Sequence, residues 1–490
     1  MTVVQAQVSA PQGVLPAYKA GEVLVTLKSS VSAVRLSREM PGIAALKRVS
    51  RNLHKVQLQP DETVASMIER LKQNPLVAHV QPNYIKKIQT EDPYYTDQWG
   101  LNNSGQLVHD VNGGAAAGKA GADISAELAW EITRGERHVV VAVLDTGIEG
   151  GATSSHRDLA GNLWHNPDSR EASPNGIDDD NNGCIDDVIG CDFSDINNIT
   201  GNPVDLDGHG TMVAGVVAAV ADNNLGVSGV SPGVSLMIVK AFDGTSSTTE
   251  NVVAAIDYAI AMGADVINAS YGAPGTPTPI PGAGFDFQEY YAIQRAEKAG
   301  VLFVVPAGNG AETCANSNCS SFEIRGFDND TPPFDWSPYV PASYDLANIV
   351  AVAATDHNDR LATFSNFGVN AVDLAAPGYS IVSTSLTGVA RSSGTSLAAP
   401  YVSGSLALML SVPGSHDYVS LKQRLLSSVD PVDGLSGKVA SGGRLNAAAA
   451  LSAKAAPNPA GLSAADGGGA IGWFLFPWLG LVLLLRRTAR

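Results

Sequence analysis

The chain has 490 residues, of which 44% are hydrophobic and 16% are charged. This length and composition fit about three domains with a large core, and they exclude wholesale disorder and a collagen-like structure. The formal net charge is −17, and because neutralising phosphates needs clustered Lys and Arg, we expect no nucleic-acid partner.

The N-terminal part of the chain differs from the rest in charge. Residues 1–90 hold 12 basic and 5 acidic side chains, whereas residues 91–490 hold 19 and 43, so the two parts attract each other. Residues 1–17 contain no complete signal peptide, but Val4-Gln5-Ala6 has the spacing of a leader cleavage site. We interpret this start as a remnant leader or a disordered segment, and a cytoplasmic protein is the alternative.

Residues 18–90 are predicted to form a small α+β unit. Glu22–Leu27, His54–Leu58 and Val77–Pro82 alternate polar and apolar side chains as strands do, and Val64–Gln73 has helical spacing. A larger domain is predicted from residue 91 to residue 450.

The pattern of this larger domain changes at Val139, where a series of short apolar runs begins. Continuous apolar runs are typical of strands that are buried on both faces. The runs are Val139–Leu144, Leu236–Val239, Val266–Asn268, Val301–Val305 and Ile349–Ala353. Helical segments lie between several of them, for example Thr249–Met262, which Gly263 would end. This alternation predicts an α/β fold with a doubly wound, mostly parallel sheet and with sites at the carboxyl ends of its strands.

The C-terminal part contains a linker and an apolar tail. Residues 451–469 are rich in Ala, Pro, Gly and Ser, which predicts a flexible linker. Residues 470–490 begin with an apolar run that barely spans a bilayer and end in arginines, which would stay on the cytoplasmic side. With Gly467–Gly469, this tail resembles the Gly-Gly sorting signals of exported bacterial proteins, which a rhomboid-like protease removes. We therefore expect a protein that is secreted or held at the cell surface, transiently or permanently; a buried terminal helix is the alternative.

Four cysteines form two close pairs along the chain, Cys184 with Cys191 and Cys314 with Cys319. This spacing favours local disulfides and hence an oxidising compartment. Four reduced structural thiols are the alternative.

Three motifs place reactive groups at the boundaries of predicted elements. The carboxylate of Asp145 ends a buried strand, the imidazole of His209 is flanked by glycines, and the hydroxyl of Ser396 opens a helix of small residues. A serine hydroxyl is a weak nucleophile, so acyl transfer needs an imidazole that takes its proton and a carboxylate that orients the imidazole. Asn309 follows another buried strand and offers its amide to a tetrahedral oxyanion, with the backbone N–H of Ser396 as a second donor.

In their chain order, these four residues resemble the motifs of subtilisin-like serine proteases. The likeness runs from about residue 18 to residue 450 and includes Gln98–Asn102 and Phe364–Gly368. It implies a serine endopeptidase with a subtilisin-like fold, an Asp-His-Ser triad and an oxyanion amide. It also implies protein or peptide substrates and a monomer.

The resemblance further implies where substrate binds. Ser270, Tyr271 and Gly272 match the strand that pairs with an extended peptide through backbone groups, and an ordinary edge strand is the alternative. Ala307 and Gly308, which precede the oxyanion amide, are further expected substrate contacts.

The same resemblance identifies residues 18–90 as a ferredoxin-like propeptide. Such a propeptide is an intramolecular inhibitor and a chaperone of the catalytic domain. Its end, residues 85–90, would occupy the substrate cleft and be cut by the enzyme itself, so that the mature chain starts near Glu91. A permanent, unrelated interaction domain is the alternative.

An acidic loop has the opening spacing of a calcium-binding loop, in which oxygen ligands alternate around a glycine. The ligands would come from Asp178, Asp180, Asn182, Cys184 through its carbonyl, and Asp187 or else Asp192. A solvated acidic loop is the alternative. The family resemblance adds a second calcium site near Asp158. The nine histidines are scattered, which argues against catalytic zinc.

Two other functions fit the sequence. A subtilase-like surface module would bind peptides without cutting them, although the four intact catalytic positions favour activity. A protease limited to processing a few surface proteins keeps the same chemistry, and the Pro-rich stretch from Pro274 to Pro281 weakly favours it.

Overall fold

The computed structural model describes residues 18–453, with gaps at 29–34, 37, 39, 61, 85–91, 111–112, 155, 169–174, 277–284, 315–321, 334–336 and 415–416. The chain divides into two compact units, Met1–Gln89 and Thr90–Arg490. The predicted start at 1–17, the propeptide end at 85–90, most of the linker and the tail at 470–490 lie outside the described residues. Within the described ranges, no helix combines the length and the apolar character needed to cross a membrane.

The first unit is a four-stranded antiparallel sheet with helical segments between its strands. The strands are β1 (Tyr18–Leu27), β2 (Ile43–Arg48), β3 (Leu53–Leu58) and β4 (Val77–Tyr84), in the spatial order β2-β3-β1-β4. Helix α1 (Val64–Lys72) connects β3 to β4, and Arg35 and Leu36 are helical between β1 and β2. This is the ferredoxin-like arrangement that was expected.

The second unit is built around a nine-stranded sheet. From one edge to the other, its strands are β20 (Asp430–Pro431), β21 (Gly443–Arg444), β17 (Leu374–Pro377), β16 (Ile349–Thr355), β12 (Leu302–Pro306), β10 (Val266–Ala269), β7 (Val140–Asp145), β9 (Ser235–Lys240) and β8 (Gly190–Asp192). All neighbouring strands are parallel except β20 and β21. The five apolar runs of the sequence are the strands β7, β9, β10, β12 and β16, which confirms the predicted α/β fold.

Helices cover both faces of this sheet and create two cores. Val141 and Val143 of β7 face one core, whereas Val140, Ala142 and Leu144 face the other. The first core contains residues of α2 (Ala126–Trp130), α3 (His209–Ala218), α6 (Thr395–Leu410), α7 (Tyr418–Ser427) and α8 (Ala447–Ser452). The second core contains residues of α4 (Thr249–Ala261) and α5 (Phe287–Lys298). Because both faces of the sheet are covered, the central strands are continuous apolar runs in the sequence.

Four two-stranded antiparallel ribbons surround the sheet. They pair β5 (Leu107–His109) with β6 (Ala115–Ala117), β11 (Ala273–Pro274) with β15 (Tyr339–Val340), β13 (Ala311–Cys314) with β14 (Phe322–Arg325), and β18 (Ile381–Ser385) with β19 (Gly388–Ser392). A disulfide joins Cys184 to Cys191 and confirms the first predicted pair. The second pair is not described, because Cys319 lies in a gap.

Candidate active site

Three neighbouring strands carry polar side chains to one edge of the large sheet. β7 ends at Asp145, β10 is followed by Ser270, and β12 is followed by the segment that contains Asn309. Because these strands are adjacent and parallel, their carboxyl ends lie side by side, where sites of open α/β sheets form.

The imidazole of His209 is paired with the carboxylate of Asp145. Nδ1 of His209 lies 2.7 Å from Oδ1 of Asp145, and the two side chains are 35% and 4% exposed. A carboxylate only accepts, so Nδ1 carries the hydrogen, and the lone pair of Nε2 is left to take a proton. The charge of Asp145 raises the pKa of His209, against the opposing effect of burial.

Thr395, the residue before Ser396, fixes the orientation of the Asn309 amide through hydrogen bonds. Oδ1 of Asn309 accepts hydrogen bonds from the backbone N–H and the hydroxyl of Thr395, both at 2.8 Å. A β-carbon placed on Gly394 would lie 3.0 Å from Oγ of Ser396 and 3.5 Å from Nδ2 of Asn309. The serine hydroxyl and the amide N–H therefore face the same small space, which the missing side chain of Gly394 leaves open.

A buried chain of polar groups supports the start of the helix that carries Ser396. Oγ of Ser270 donates to the carbonyl of Ser396 at 2.8 Å, and Nδ2 of Asn268 donates to Oγ of Ser270 at 2.8 Å. Oγ of Ser403, which lies about two turns after Ser396 in α6, donates to Oδ1 of Asn268 at 2.7 Å. Ser270 thus lies at the predicted edge, and its side chain contacts the backbone of Ser396.

Helices α3 and α6, which begin at His209 and next to Ser396, pack against each other. In the described part of the chain, no hydrogen bond joins the imidazole of His209 to the hydroxyl of Ser396. Such bonds are often long without substrate and tighten when it binds.

The other expected substrate residues have hydrogen bonds within their own unit. The hydroxyl of Tyr339 donates to the carbonyl of Gly272 at 2.7 Å. The N–H of Ala307 donates to Val352 O at 2.9 Å, and Nδ2 of Asn329 donates to Ala307 O at 2.9 Å. The carbonyl of Gly308 accepts from the N–H of Asn366 at 2.9 Å. The N–H and carbonyl of Ala307 and the carbonyl of Gly308 are therefore used by hydrogen bonds of the fold itself.

A buried carboxyl that the sequence did not predict contacts Tyr271, in the segment that follows β10. Glu289 of α5 is 8% exposed, and its two oxygens accept from the hydroxyls of Tyr271 at 2.9 Å and Tyr344 at 3.0 Å. Burial raises the pKa of Glu289 to about 7. An isolated glutamate in an amphipathic helix gives no signal that distinguishes it from a solvent-exposed one.

The residues expected to bind calcium converge around the side chain and backbone of Asn182. Nδ2 of Asn182 donates to Asp180 at 3.0 Å and to Asp187 at 2.8 Å, and backbone N–H groups of Asn182 and Gly183 donate to the two oxygens of Asp178 at 3.1 and 3.0 Å. Oδ1 of Asn182 accepts from the N–H of Cys184 at 2.8 Å.

The donor set fits calcium in chemistry, because it is rich in oxygen atoms. Burial raises the pKa of Asp187 to about 6, and the neighbouring Asp180 adds to this effect. In the residues that the structure describes, however, no three His, Cys, Asp or Glu side chains are arranged to hold a metal ion. At the other expected site, Asp158 accepts from Nδ2 of Asn223 and from the N–H of Val227, each at 2.8 Å.

Comparisons with known proteins show which families this chain resembles. The family model described as the subtilase family, Peptidase_S8, matches residues 136–460, and that of the fervidolysin N-terminal prodomain matches residues 5–83. A thermophilic serine proteinase of Bacillus sp. (strain AK1) is 31% identical over 453 residues, which cover 91% of this chain and 90% of that protein. Thermitase of Thermoactinomyces vulgaris is 33% identical over 326 residues, 66% of this chain and 92% of thermitase. A solved protease structure from Pseudoalteromonas arctica, 24% identical, aligns with a TM-score of 0.53 over 74% of this chain and 99% of that chain, and it shares the fold.

Proposed function

Because the chain belongs to the subtilase family and carries an N-terminal prodomain, it is a subtilisin-like serine endopeptidase, and we propose that Asp145, His209, Asn309 and Ser396 are its catalytic residues. The observation that carries this proposal is the 2.7 Å contact between His209 and Asp145. It is supported by the shared space of Ser396 and Asn309 beside Gly394, because this space suits an oxyanion.

In the proposed mechanism, Oγ of Ser396 attacks the peptide carbonyl carbon while Nε2 of His209 takes the hydroxyl proton. His209 then gives this proton to the leaving amine, the C–N bond breaks, and an acyl ester remains on Ser396. His209 then takes a proton from a water molecule that attacks the ester carbonyl carbon. The bond between this carbon and Oγ of Ser396 breaks, His209 returns the proton to Oγ, and the acid product leaves. Asp145 keeps the imidazole in the required tautomer and stabilises the imidazolium, and Nδ2 of Asn309 with the N–H of Ser396 would bind the oxyanion.

The proposed substrate is an extended segment of protein, bound along the carboxyl edge of the sheet. Ser270, Tyr271 and Gly272 would pair with its backbone by strand addition, and Ala307 and Gly308 would line the cleft next to the oxyanion site. Ser270 lies between the strand ends of Asp145 and Asn309, which supports this placement.

Residues 18–90 are proposed to inhibit the enzyme until it cuts the chain near Glu91. The prodomain match and the opposite charges of residues 1–90 and 91–490 support this role. We further propose that the enzyme is exported and monomeric. The proposed sorting tail, which a rhomboid-like protease would remove, is formed by residues 470–490, which lie outside the described part of the chain.

Calcium is the proposed structural cofactor. The carboxylates of Asp178, Asp180 and Asp187, the amide oxygen of Asn182 and the carbonyl of Cys184 would hold it, after the side-chain amide of Asn182 turns its oxygen toward the carboxylates. The bound ion would relieve the repulsion among these carboxylates and so stabilise the loop.

The experiment that tests the proposed function is the intact mass of purified wild-type chain and of Ser396→Ala after incubation with calcium. We expect only the wild type to lose the segment that ends near Thr90, because removal of that segment needs the nucleophile. Lys298→Met, an exposed change on α5, should process like the wild type. If all chains stay full length over a range of pH and calcium, a peptide-binding module without activity becomes the better explanation.

A further inference from the structure

Thr146 connects the strand end of Asp145 to the helix start of His209. Its N–H donates to Oδ1 of Asp145 at 2.8 Å, the oxygen that His209 also contacts. Its hydroxyl donates to Asp205 at 2.9 Å and accepts from the N–H of Gly210 at 2.8 Å. The side chain of Thr146 is buried, so these bonds are shielded from competing water.

Asp205 holds the turn on both sides of His209. Its carboxylate accepts from the N–H of Gly208 at 2.8 Å and from the N–H and hydroxyl of Thr211 at 2.9 and 2.6 Å. Only 3% of Asp205 is exposed. Burial favours its neutral form, but the hydrogen bonds from Thr211, Gly208 and Thr146 outweigh burial and lower its pKa below the ordinary value, so Asp205 carries a negative charge.

Lys240 fixes the same two segments from the neighbouring strand. It is the last residue of β9, lies opposite Asp145 in the register of β7 and β9, and is 5% exposed. Its Nζ donates to the carbonyl of Thr146 at 3.1 Å and to the carbonyl of Val204 at 3.0 Å. The ammonium group therefore links the turn after Asp145 to the residue that precedes Asp205.

Neither buried charge has a direct ionic partner in the described ranges, because no ion pair there includes Lys240 or Asp205. Burying a charge without a counter-charge costs stability, so neutral residues would serve a purely structural role better. The charges themselves therefore call for an explanation at the site that they surround.

We propose that Lys240 and Asp205 are positioning residues of opposite charge that hold Thr146 and, through it, the Asp145–His209 pair. This inference rests on the catalytic roles proposed above. The two residues keep the imidazole on its carboxylate while substrate binds, and their charges oppose each other at the imidazole.

The charges act in opposite directions on the protonation of His209. The acidic groups that face the imidazole are Asp145, Asp207 and Asp205, all of which favour the imidazolium and raise its pKa. Lys240 lies beyond Asp145 on the next strand, and its positive charge disfavours the imidazolium. Removing one of the two buried charges should therefore shift the pH at which His209 becomes an active base, and the direction of the shift identifies the charge.

The test is the pH dependence of kcat/KM for a peptide substrate, measured on protein that was made as the full chain and has then processed itself. In the pH profile, kcat/KM falls at low pH because His209 becomes protonated, and this fall is the acidic limb. We expect Lys240→Met to move the acidic limb to higher pH and Asp205→Asn to move it to lower pH, each by about 0.5 to 1 pH unit. The control Lys298→Met removes an exposed lysine and should leave the limb in place.

The outcomes separate this inference from the proposed function. Wild-type activity that survives Ser396→Ala would defeat the proposed function, whereas an active wild type with unshifted limbs in both charge variants would overturn this inference. If a charge variant does not fold, Thr146→Val removes only the hydroxyl that connects Asp205 to Gly210. We expect this variant to lower kcat at least about tenfold with KM unchanged, because the reacting groups lose their alignment. Unchanged kcat would overturn the inference.

Discussion

Asn309 uses the two ends of its amide for different purposes. Its oxygen accepts two hydrogen bonds from Thr395, and this fixes the direction of its nitrogen toward the space beside Gly394. At the scale of single residues, the candidate site depends on such fixed directions, since a donor stabilises an oxyanion only if it already points at it.

Replacing this amide tests its assigned role. We expect Asn309→Ala to lower kcat about 10²- to 10³-fold while KM changes little, because the oxyanion forms only in the transition state. Steady-state kinetics on a peptide substrate measure both constants. The control is Asn197→Ala, which removes an exposed amide that is not part of the candidate site. An unchanged kcat in Asn309→Ala would contradict the assigned role.

Among the elements, α5 is joined to the segment that follows β10 through a buried carboxyl. Glu289 accepts from Tyr271, next to β10, and from Tyr344, which lies between β15 and β16. One side chain thus connects three parts of the chain that are distant in sequence. The arrangement stabilises the edge that would receive substrate, but it places a carboxyl group out of reach of water.

The pH dependence of stability follows from this burial. The pKa of Glu289 is raised from 4.5 to about 7, so the folded protein keeps a proton that the unfolded chain releases between these values. Its contribution to the free energy of unfolding therefore falls by about 3 kcal/mol as the pH rises from 4.5 to 7, and stays low above 7.

We expect Glu289→Gln to remove the loss of stability that the ionisation of Glu289 causes as the pH rises. Denaturant unfolding at pH 5 and pH 8, in the Ser396→Ala background to prevent self-cleavage, compares the two proteins. The Gln variant should gain relative stability at pH 8, because its amide does not ionise. An equal difference between the proteins at both pH values would show that Glu289 is not the titrating group.

For the molecule as a whole, a bound calcium ion would act on the global stability of the second unit. Calcium that binds the folded loop and not the unfolded chain shifts the unfolding equilibrium by mass action, whatever its distance from the active site. The disulfide between Cys184 and Cys191 joins the last part of the acidic loop to β8, whether or not an ion is bound.

Removal of calcium should therefore lower the unfolding temperature. We expect a chelator to reduce the midpoint of Ser396→Ala, and Asp180→Asn to reduce both the midpoint in calcium and the size of the chelator effect. Differential scanning calorimetry measures both. Glu131→Gln, which removes an exposed acidic group, should respond like the parent, and identical midpoints with and without calcium would refute the proposed site.

The repeated strand-and-helix pattern, and the order of the four reactive residues along it, could be predicted from the sequence alone. These features are local, because continuous apolar runs arise from burial on both faces and reactive residues stand at the ends of such runs. The short strands β20 and β21 were not predicted, since two residues carry no detectable period. β2 was also missed, because its exposed residues do not alternate with buried ones.

Which charges are buried, and what they contact, becomes known only from the packing of the folded chain. Lys240 reaches the carbonyl of Thr146 across 94 residues of sequence, and Glu289 reaches Tyr344 across 55. In the sequence each of these residues looks like an ordinary polar side chain. Their environment comes from neighbouring strands and helices that pack together, and burial of a charge becomes visible only when those elements are in place.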